Sequence, residues 1–213
     1  MNPYLVSARK YRPEKFEDVV GQSHITDSLQ NSIKSNTVSH AYIFCGPRGV
    51  GKTTCARIFA KQLNIDAKKN KQDFSFNIFE LDAASNNSVD DIRDLVSQVK
   101  IPPQIGNYKI YIIDEAHMLS KSAFNAFLKT LEEPPKHCIF ILATTEKEKI
   151  IPTILSRCQI FDFKRISEEN IYNYLQNLAE KENINTEKES LNLIAKHADG
   201  ALRDALSIFD KVH

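Results

Sequence analysis

The sequence predicts an α/β fold, with a parallel sheet flanked by helices and followed by a small three-helix domain, from three observations. Short apolar runs at residues 42–45, 78–81, 110–113 and 139–143 alternate with longer stretches of helical periodicity, the pattern of strands joined by helical crossovers. The first run leads into Gly46-Pro47-Arg48-Gly49-Val50-Gly51-Lys52-Thr53, a complete GxxxxGK[ST] pattern, and residues 53–63 after it read as a helix. After Phe163 the strand pattern stops, and residues 168–181, 187–197 and 201–212 read as three helices. The expected organisation is a nucleotide-binding domain over residues 1–163 and a helical lid over residues 164–213.

Each element has a local reason. Runs that are apolar at every position suit strands buried on both faces, as in a parallel sheet. Each run ends where a polar motif begins. Ligands of open α/β sheets gather at the carboxyl ends of the strands, so these motifs are expected to converge on one site. In the loop, the glycines let backbone N–H groups turn inward around phosphates at a helix N-terminus, whose partial positive charge favours anions. Lys52 adds a point charge, Thr53 is expected to ligate Mg²⁺, and Thr54 opens the helix beside it. The second motif, Ile110-Tyr111-Ile112-Ile113-Asp114-Glu115, is an apolar strand ending in two acids. Asp114 is expected to hold the Mg²⁺ shell, and Glu115 to orient and polarise an attacking water. Glu115 separates catalysis from mere binding, because a module that only holds nucleotide needs no such carboxylate. Ser88-Val89-Asp90-Asp91 resembles a helix-capping sequence, with Ile92, Leu95, Val96 and Val99 at helical spacing behind it.

Composition narrows the function classes. The 213 residues are 42% hydrophobic, enough to bury a core. The formal net charge is +1, so nucleic acid would have to be held by a local basic cluster rather than by the whole surface. The lysine-rich stretch at residues 66–73 reads as a solvated connection. The N-terminal stretch does not resemble a signal peptide, and no apolar run approaches the ~20 residues needed to span a bilayer, so a cytoplasmic protein with no membrane partner is expected. Cys45, Cys55, Cys138 and Cys158 are scattered singly. Neither a zinc site nor a disulfide framework is expected from them.

The ordered set HAYIFCGPRGVGKTTCARIFAKQLN, ELDAASNNSVDDIRDL, YIIDEAHMLSKSAFNAFLKTLEEPP, ILATTE, ILSRCQIF and GALRDALS resembles the gamma/tau subunits of bacterial DNA polymerase III, which are AAA+ clamp loader ATPases. The likeness runs from about Tyr4 to Asp210, and LEEPP followed by SRC is its most specific part. The resemblance implies an AAA+ P-loop NTPase that uses ATP and Mg²⁺ to load a sliding clamp onto primer-template DNA, in company with other clamp loader subunits. It implies that Thr145 is the sensor 1 residue facing the γ-phosphate, with Thr144 as the alternative. It implies that Arg157 reaches the ATP of the neighbouring subunit, that Arg203 of the lid contacts nucleotide in its own chain, and that Tyr11, Val19 and Val20 belong to the segment around the adenine. The guanidinium fork suits both arginine tasks. Alternatively, the apolar residues of that segment anchor the first helix.

The sequence departs from the family in two places. Residues 63–79 contain no cysteine where the family usually carries a four-cysteine zinc module, so zinc is not carried over. The sequence also ends at His213, before the helical collar through which the family's subunits oligomerise, so assembly by this chain alone is not expected. The resemblance also places Arg93, Lys121 and nearby amides along the channel that tracks the DNA backbone; an ordinary solvated face is the other reading. Two rival functions remain at this point. One is another AAA+ DNA motor of branch-migration or helicase type, and the other is a non-hydrolysing scaffold subunit of the loader.

Overall fold

The computed structural model describes residues 6–64, 75–104 and 106–212. In chain order the elements are α1 (Ser7–Lys10), α2 (Ser23–Lys34), β1 (Ala41–Cys45), α3 (Lys52–Asn64), β2 (Ile78–Asp82), α4 (Val89–Val99), β3 (Lys109–Asp114), α5 (Lys121–Glu132), β4 (Cys138–Thr144), α6 (Pro152–Leu155), β5 (Gln159–Asp162), α7 (Glu168–Glu182), α8 (Lys188–His197) and α9 (Leu202–Val212). The strands form one parallel sheet in the order β2-β3-β4-β1-β5. The lysine-rich stretch at residues 66–73 lies outside the described residues.

Burial follows strand position. Every residue of β1 and of β4 is buried, whereas the edge strands β2 and β5 are only partly so. Burial alone does not decide what is legible in the sequence, because β2 is also an edge yet is read from Ile78, Phe79 and Leu81, whereas β5 is not read. In β5 only Phe161 is buried, between Gln159 and Asp162 on the exposed side, which leaves no run long enough to read. The edge is held by pairing with β1 and by aromatic contacts of Phe161 with Tyr42 and Phe44 at centroid distances of 6.2 and 5.7 Å.

Alternation along the strands divides the core into two layers. Ile43, Tyr111, Ile113, Phe140 and Leu142 point to the side covered by α4, α5 and α6, where Ile92, Leu95, Phe124, Phe127 and Ile154 meet them. Tyr42, Phe44, Ile110, Ile112 and Ile141 point to the side covered by α2 and α3, against Ile25, Leu29, Cys55 and Phe59. Helix starts are fixed by side chains. In α4 the Asp91 N–H donates to Ser88 Oγ at 3.2 Å and the Ser88 N–H donates to Asp91 Oδ2 at 3.0 Å, a reciprocal cap in which Asp takes the usual place of Glu. Ser120 and Ser167 cap α5 and α7 in the same way, each through a single bond.

A third apolar cluster joins α7, α8 and α9 through Ile171, Leu175, Leu178, Leu191, Ile194, Leu206 and Phe209. Ala8, Tyr11 and Val20 pack against this cluster, not against the core under the sheet. Their attachment is specific: the Ser7 N–H donates to Asp210 Oδ2 at 2.7 Å, and the Tyr174 hydroxyl donates to the Tyr11 carbonyl at 3.3 Å. The N-terminal segment is thus fastened to the helices that are farthest from it in sequence. No helix among the described residues is long and apolar enough to cross a membrane.

Candidate nucleotide-binding site

The sheet order brings the polar motifs together. Because β4 lies between β1 and β3, the residues following β4 sit between the phosphate loop at the end of β1 and the acids at the end of β3. Along the top of the sheet a cavity of about 590 Å³ is lined by the whole run from Arg48 to Thr54, by Asp114 and Glu115, by Tyr11, Val19 and Val20, and by Arg203 of α9. Residues predicted from five separated stretches therefore share one space. Arg12, from the segment that the resemblance sets around the adenine, lines it as well, and so do Arg9 and Arg57, cations that the motif reading did not single out. Arg57 follows Thr53 by four positions, one helical turn along the same face of α3, and that spacing was the available signal.

The loop is shaped by its glycines. At Gly46 φ is +143°, and a Cβ there would come within 2.4 Å of the Phe163 carbonyl oxygen. At Gly49 φ is +76°, and a Cβ would come within 2.9 Å of Ala201 Cβ in the lid. Gly46 thus packs against Phe163, the residue that follows β5, and Gly49 against the start of α9. The Arg203 N–H donates to the Gly49 carbonyl at 3.4 Å, so phosphate loop and lid touch directly. Gly46→Ala is expected to lower unfolding free energy by about 3 kcal/mol, because backbone cannot yield as a side chain can. Gly51→Ala, at φ +103° but with nothing within 4 Å, is expected to cost only about 1–2 kcal/mol. Urea midpoints of the two variants check the order.

Lys52 is buried, and its Nζ donates to the Gly46 and Pro47 carbonyls at 2.8 and 2.7 Å, bracing the loop across its mouth. Burial pulls the ammonium below the ordinary lysine pKa, and Glu115 and Asp114 partly offset this. Thr53 Oγ1 donates to Asp114 Oδ2 at 2.8 Å, and the Glu115 N–H donates to Asp114 Oδ1 at 3.0 Å. A hydroxyl and a carboxylate converging beside a phosphate loop are hard oxygen donors of the kind Mg²⁺ takes, with water and phosphate completing its shell. These residues fit the ion that the motif calls for.

Glu115 sits in the left-handed region, φ 48° and ψ 42°, at a cost of roughly 1–2 kcal/mol that is common at functional sites. The strained turn aims its carboxylate at Thr145, whose Oγ1 donates to Glu115 Oε2 at 3.4 Å. Thr144, the alternative sensor position, is fully buried and faces His117 Nδ1 at 3.1 Å. Of the two threonines, Thr145 is the one turned to the acids.

Arg157 does not line the cavity. Its guanidinium donates to the Thr153 carbonyl and to Glu132 Oε1, each at 2.7 Å, at the far end of α6. Glu132 lies in the LEEPP motif, so the two most specific pieces of the sequence meet as an ion pair. Arg93 is exposed and paired with Asp90 at 2.9 Å, and Lys121 is exposed in the first turn of α5. The Ser120 N–H donates to the Asn87 carbonyl at 3.4 Å, which sets the starts of α4 and α5 side by side. The thiols of Cys45, Cys55, Cys138 and Cys158 are free, and burial pushes that of Cys55 up to about 12.

Sequence reasoning missed the role of Gln22. Its fully buried amide donates to the Lys164 carbonyl at 2.7 Å and to the Val50 carbonyl at 3.5 Å, and it accepts the Lys164 N–H at 3.3 Å. It ties the phosphate loop to the junction between sheet and lid. A buried polar residue announces itself only by its surroundings.

A parallel sheet of this order, a phosphate loop after β1, acids ending β3 and a helical lid resting on the loop define a P-loop NTPase of the AAA+ class. The same fold is seen in the RuvB Holliday junction branch migration motor of Thermotoga maritima, with a TM-score of 0.74 at 21% identity over 95% of this chain and 65% of that one. Residues 21–167 match the family model of DNA polymerase III, delta subunit, and residues 170–212 match that of the DNA polymerase III clamp loader subunit, ATPase lid domain. DNA polymerase III subunit tau of Bacillus subtilis is 52% identical over 98% of this chain and 39% of its own length. The tau subunit of Escherichia coli is 45% identical over 98% of this chain and 34% of its own length. The chain belongs to the DNA polymerase III clamp loader subunit family, on its gamma/tau side, and it spans well under half the length of these two relatives.

Proposed function

We propose that this chain is the ATP-hydrolysing motor part of a cytoplasmic DNA polymerase III clamp loader subunit, coupling ATP binding to opening of a sliding clamp and hydrolysis to leaving it on primed DNA. The observation that carries the reading is the chain of contacts from Thr53 through Asp114 and Glu115, which line the cavity, to Thr145 beside them. Loop N–H groups and Lys52 hold the β- and γ-phosphates. Thr53 and Asp114 hold Mg²⁺, which when bound neutralises charge on the phosphate oxygens. Glu115 polarises the attacking water, and Thr145 keeps its carboxylate oriented while facing the γ-phosphate. Arg203 reports nucleotide to the lid. Tyr11, Val19 and Val20 form the wall for the base, and the packing of Tyr11 and Val20 on the lid cluster joins that wall to the lid.

Arg157 serves a neighbouring subunit, because its position at the end of α6 faces away from its own cavity. The adjacent starts of α4 and α5, with Arg93 and Lys121, suit backbone contact with primer-template DNA without base specificity. An intact Lys52, Thr53 and Glu115 favour a hydrolysing subunit over a scaffold. The test is ATP turnover by the full-length protein alone and with partner subunits, clamp and primed DNA. Slow turnover alone and a rise of about tenfold or more in the complete mixture are expected. Failure to bind ATP, or stimulation by branched DNA without clamp, would overturn the reading.

A further inference from the structure

His117 lies two residues beyond Glu115, and no motif assigned it a task. Its side chain is 8% exposed, and its two ring nitrogens meet oxygens from three residues. Nδ1 is 3.1 Å from Thr144 Oγ1 and 3.5 Å from Glu115 Oε2, while Nε2 is 3.1 Å from Glu146 Oε1. The Glu146 N–H donates to Thr144 Oγ1 at 3.0 Å, which ties the threonine to the same turn. An ionised carboxylate only accepts, so with a hydrogen on each ring nitrogen Nε2 donates to Glu146 and the Nδ1 hydrogen is shared between Thr144 Oγ1 and Glu115 Oε2. In that form both carboxylates that the ring faces are met by an N–H. Glu146 is anchored in turn by Lys149 at 2.7 Å, in the turn that leads into α6 and Arg157.

We propose that His117 is a positioning residue for hydrolysis, bracing the Glu115 carboxylate and tying its orientation to Thr144 at the end of β4. The proposal rests on the reading of Glu115 as the group that polarises water. Glu115 has a strained backbone and a side chain that is 38% exposed, so it cannot hold one direction by packing alone. Thr145 Oγ1 at 3.4 Å and His117 Nδ1 at 3.5 Å both meet the same oxygen, Oε2. A buried histidine that merely filled space would have no reason to present a nitrogen to each of two carboxylates.

The experiment uses the full-length chain assembled with its partner subunits, clamp and primed DNA. His117→Ala is expected to lower kcat by about 10- to 100-fold, the usual scale for a group that orients a reacting one from behind. Affinity for a fluorescent ATP analogue is expected to stay within about twofold. His117→Gln, whose amide can still donate toward Glu146, is expected to recover part of the rate and to melt close to the parent. In a Glu115→Gln background, His117→Ala is expected to change the single-turnover rate by no more than about twofold, because groups that act as a unit are not additive. A full additional loss in that background, a kcat unchanged in His117→Ala, or a rise in the analogue Kd matching the loss of rate would each overturn the proposal. Wild-type turnover by Glu115→Gln alone would instead overturn the role of Glu115, so the two failures are told apart.

Discussion

Glu115→Gln is expected to bind ATP as the parent does and to turn it over about 10² to 10⁴ times more slowly, the range associated with a positioned general base. The substitution keeps the shape and the left-handed turn but removes the charge that we propose polarises water, and it leaves Lys52, Thr53 and Asp114 in place. Lys52→Ala is expected to fail differently. It removes the ammonium that bridges the loop carbonyls and holds the phosphates, so ATP affinity should fall by about 3 kcal/mol or more, over a hundredfold. Equilibrium binding of a fluorescent ATP analogue and steady-state turnover, measured on both variants, separate the two losses. Wild-type turnover by Glu115→Gln would show that the catalytic carboxylate lies elsewhere.

Arg157→Ala is expected to spare ATP binding and to lower turnover only in the assembled loader, by roughly 10³-fold or more. The guanidinium lies outside its own cavity and pairs with Glu132 on an exposed surface, with relative side-chain exposures of 34% and 49%. An exposed pair of this kind contributes only about 0–1 kcal/mol, so it orients the arginine without locking it away from a neighbour's phosphate. Mixing Arg157→Ala chains with Lys52→Ala chains, together with the partner subunits, should partly restore activity. In such mixtures an intact Arg157 on a chain with a dead loop faces an intact loop on the next chain. Loss of ATP binding in the unassembled Arg157→Ala protein, or a complete absence of complementation, would assign Arg157 a structural or same-site role.

Much of the sheet was legible because its inner strands are buried on both faces, so β1, β3 and β4 appear as apolar runs with no polar interruption. The phosphate loop and Asp114-Glu115 were legible for a different reason. A phosphate cradle needs consecutive backbone N–H groups and a lysine at a set offset, and such a requirement is written in adjacent residues. The edge strand β5 escaped notice because a half-exposed strand of four residues has too short a period to stand out. His117 and Gln22 escaped because a buried polar side chain is defined by what surrounds it, and their surroundings come from the ends of other strands.

What the sequence determined by itself was the class of chemistry: a phosphate-loop pattern, a pair of acids ending a strand, and arginines in an order that matches clamp loader ATPases. Tertiary structure decided which of these share a cavity. It turned Thr145 to Glu115 and Thr144 to His117, although the two threonines are neighbours, because β4 ends at Thr144 and the chain bends at Thr145. It also fastened Tyr11 to Tyr174 and Arg157 to Glu132, and it rested the lid on Gly49. None of these pairings is encoded in local spacing; each follows from the sheet order β2-β3-β4-β1-β5 and from helices that bury their apolar faces against it.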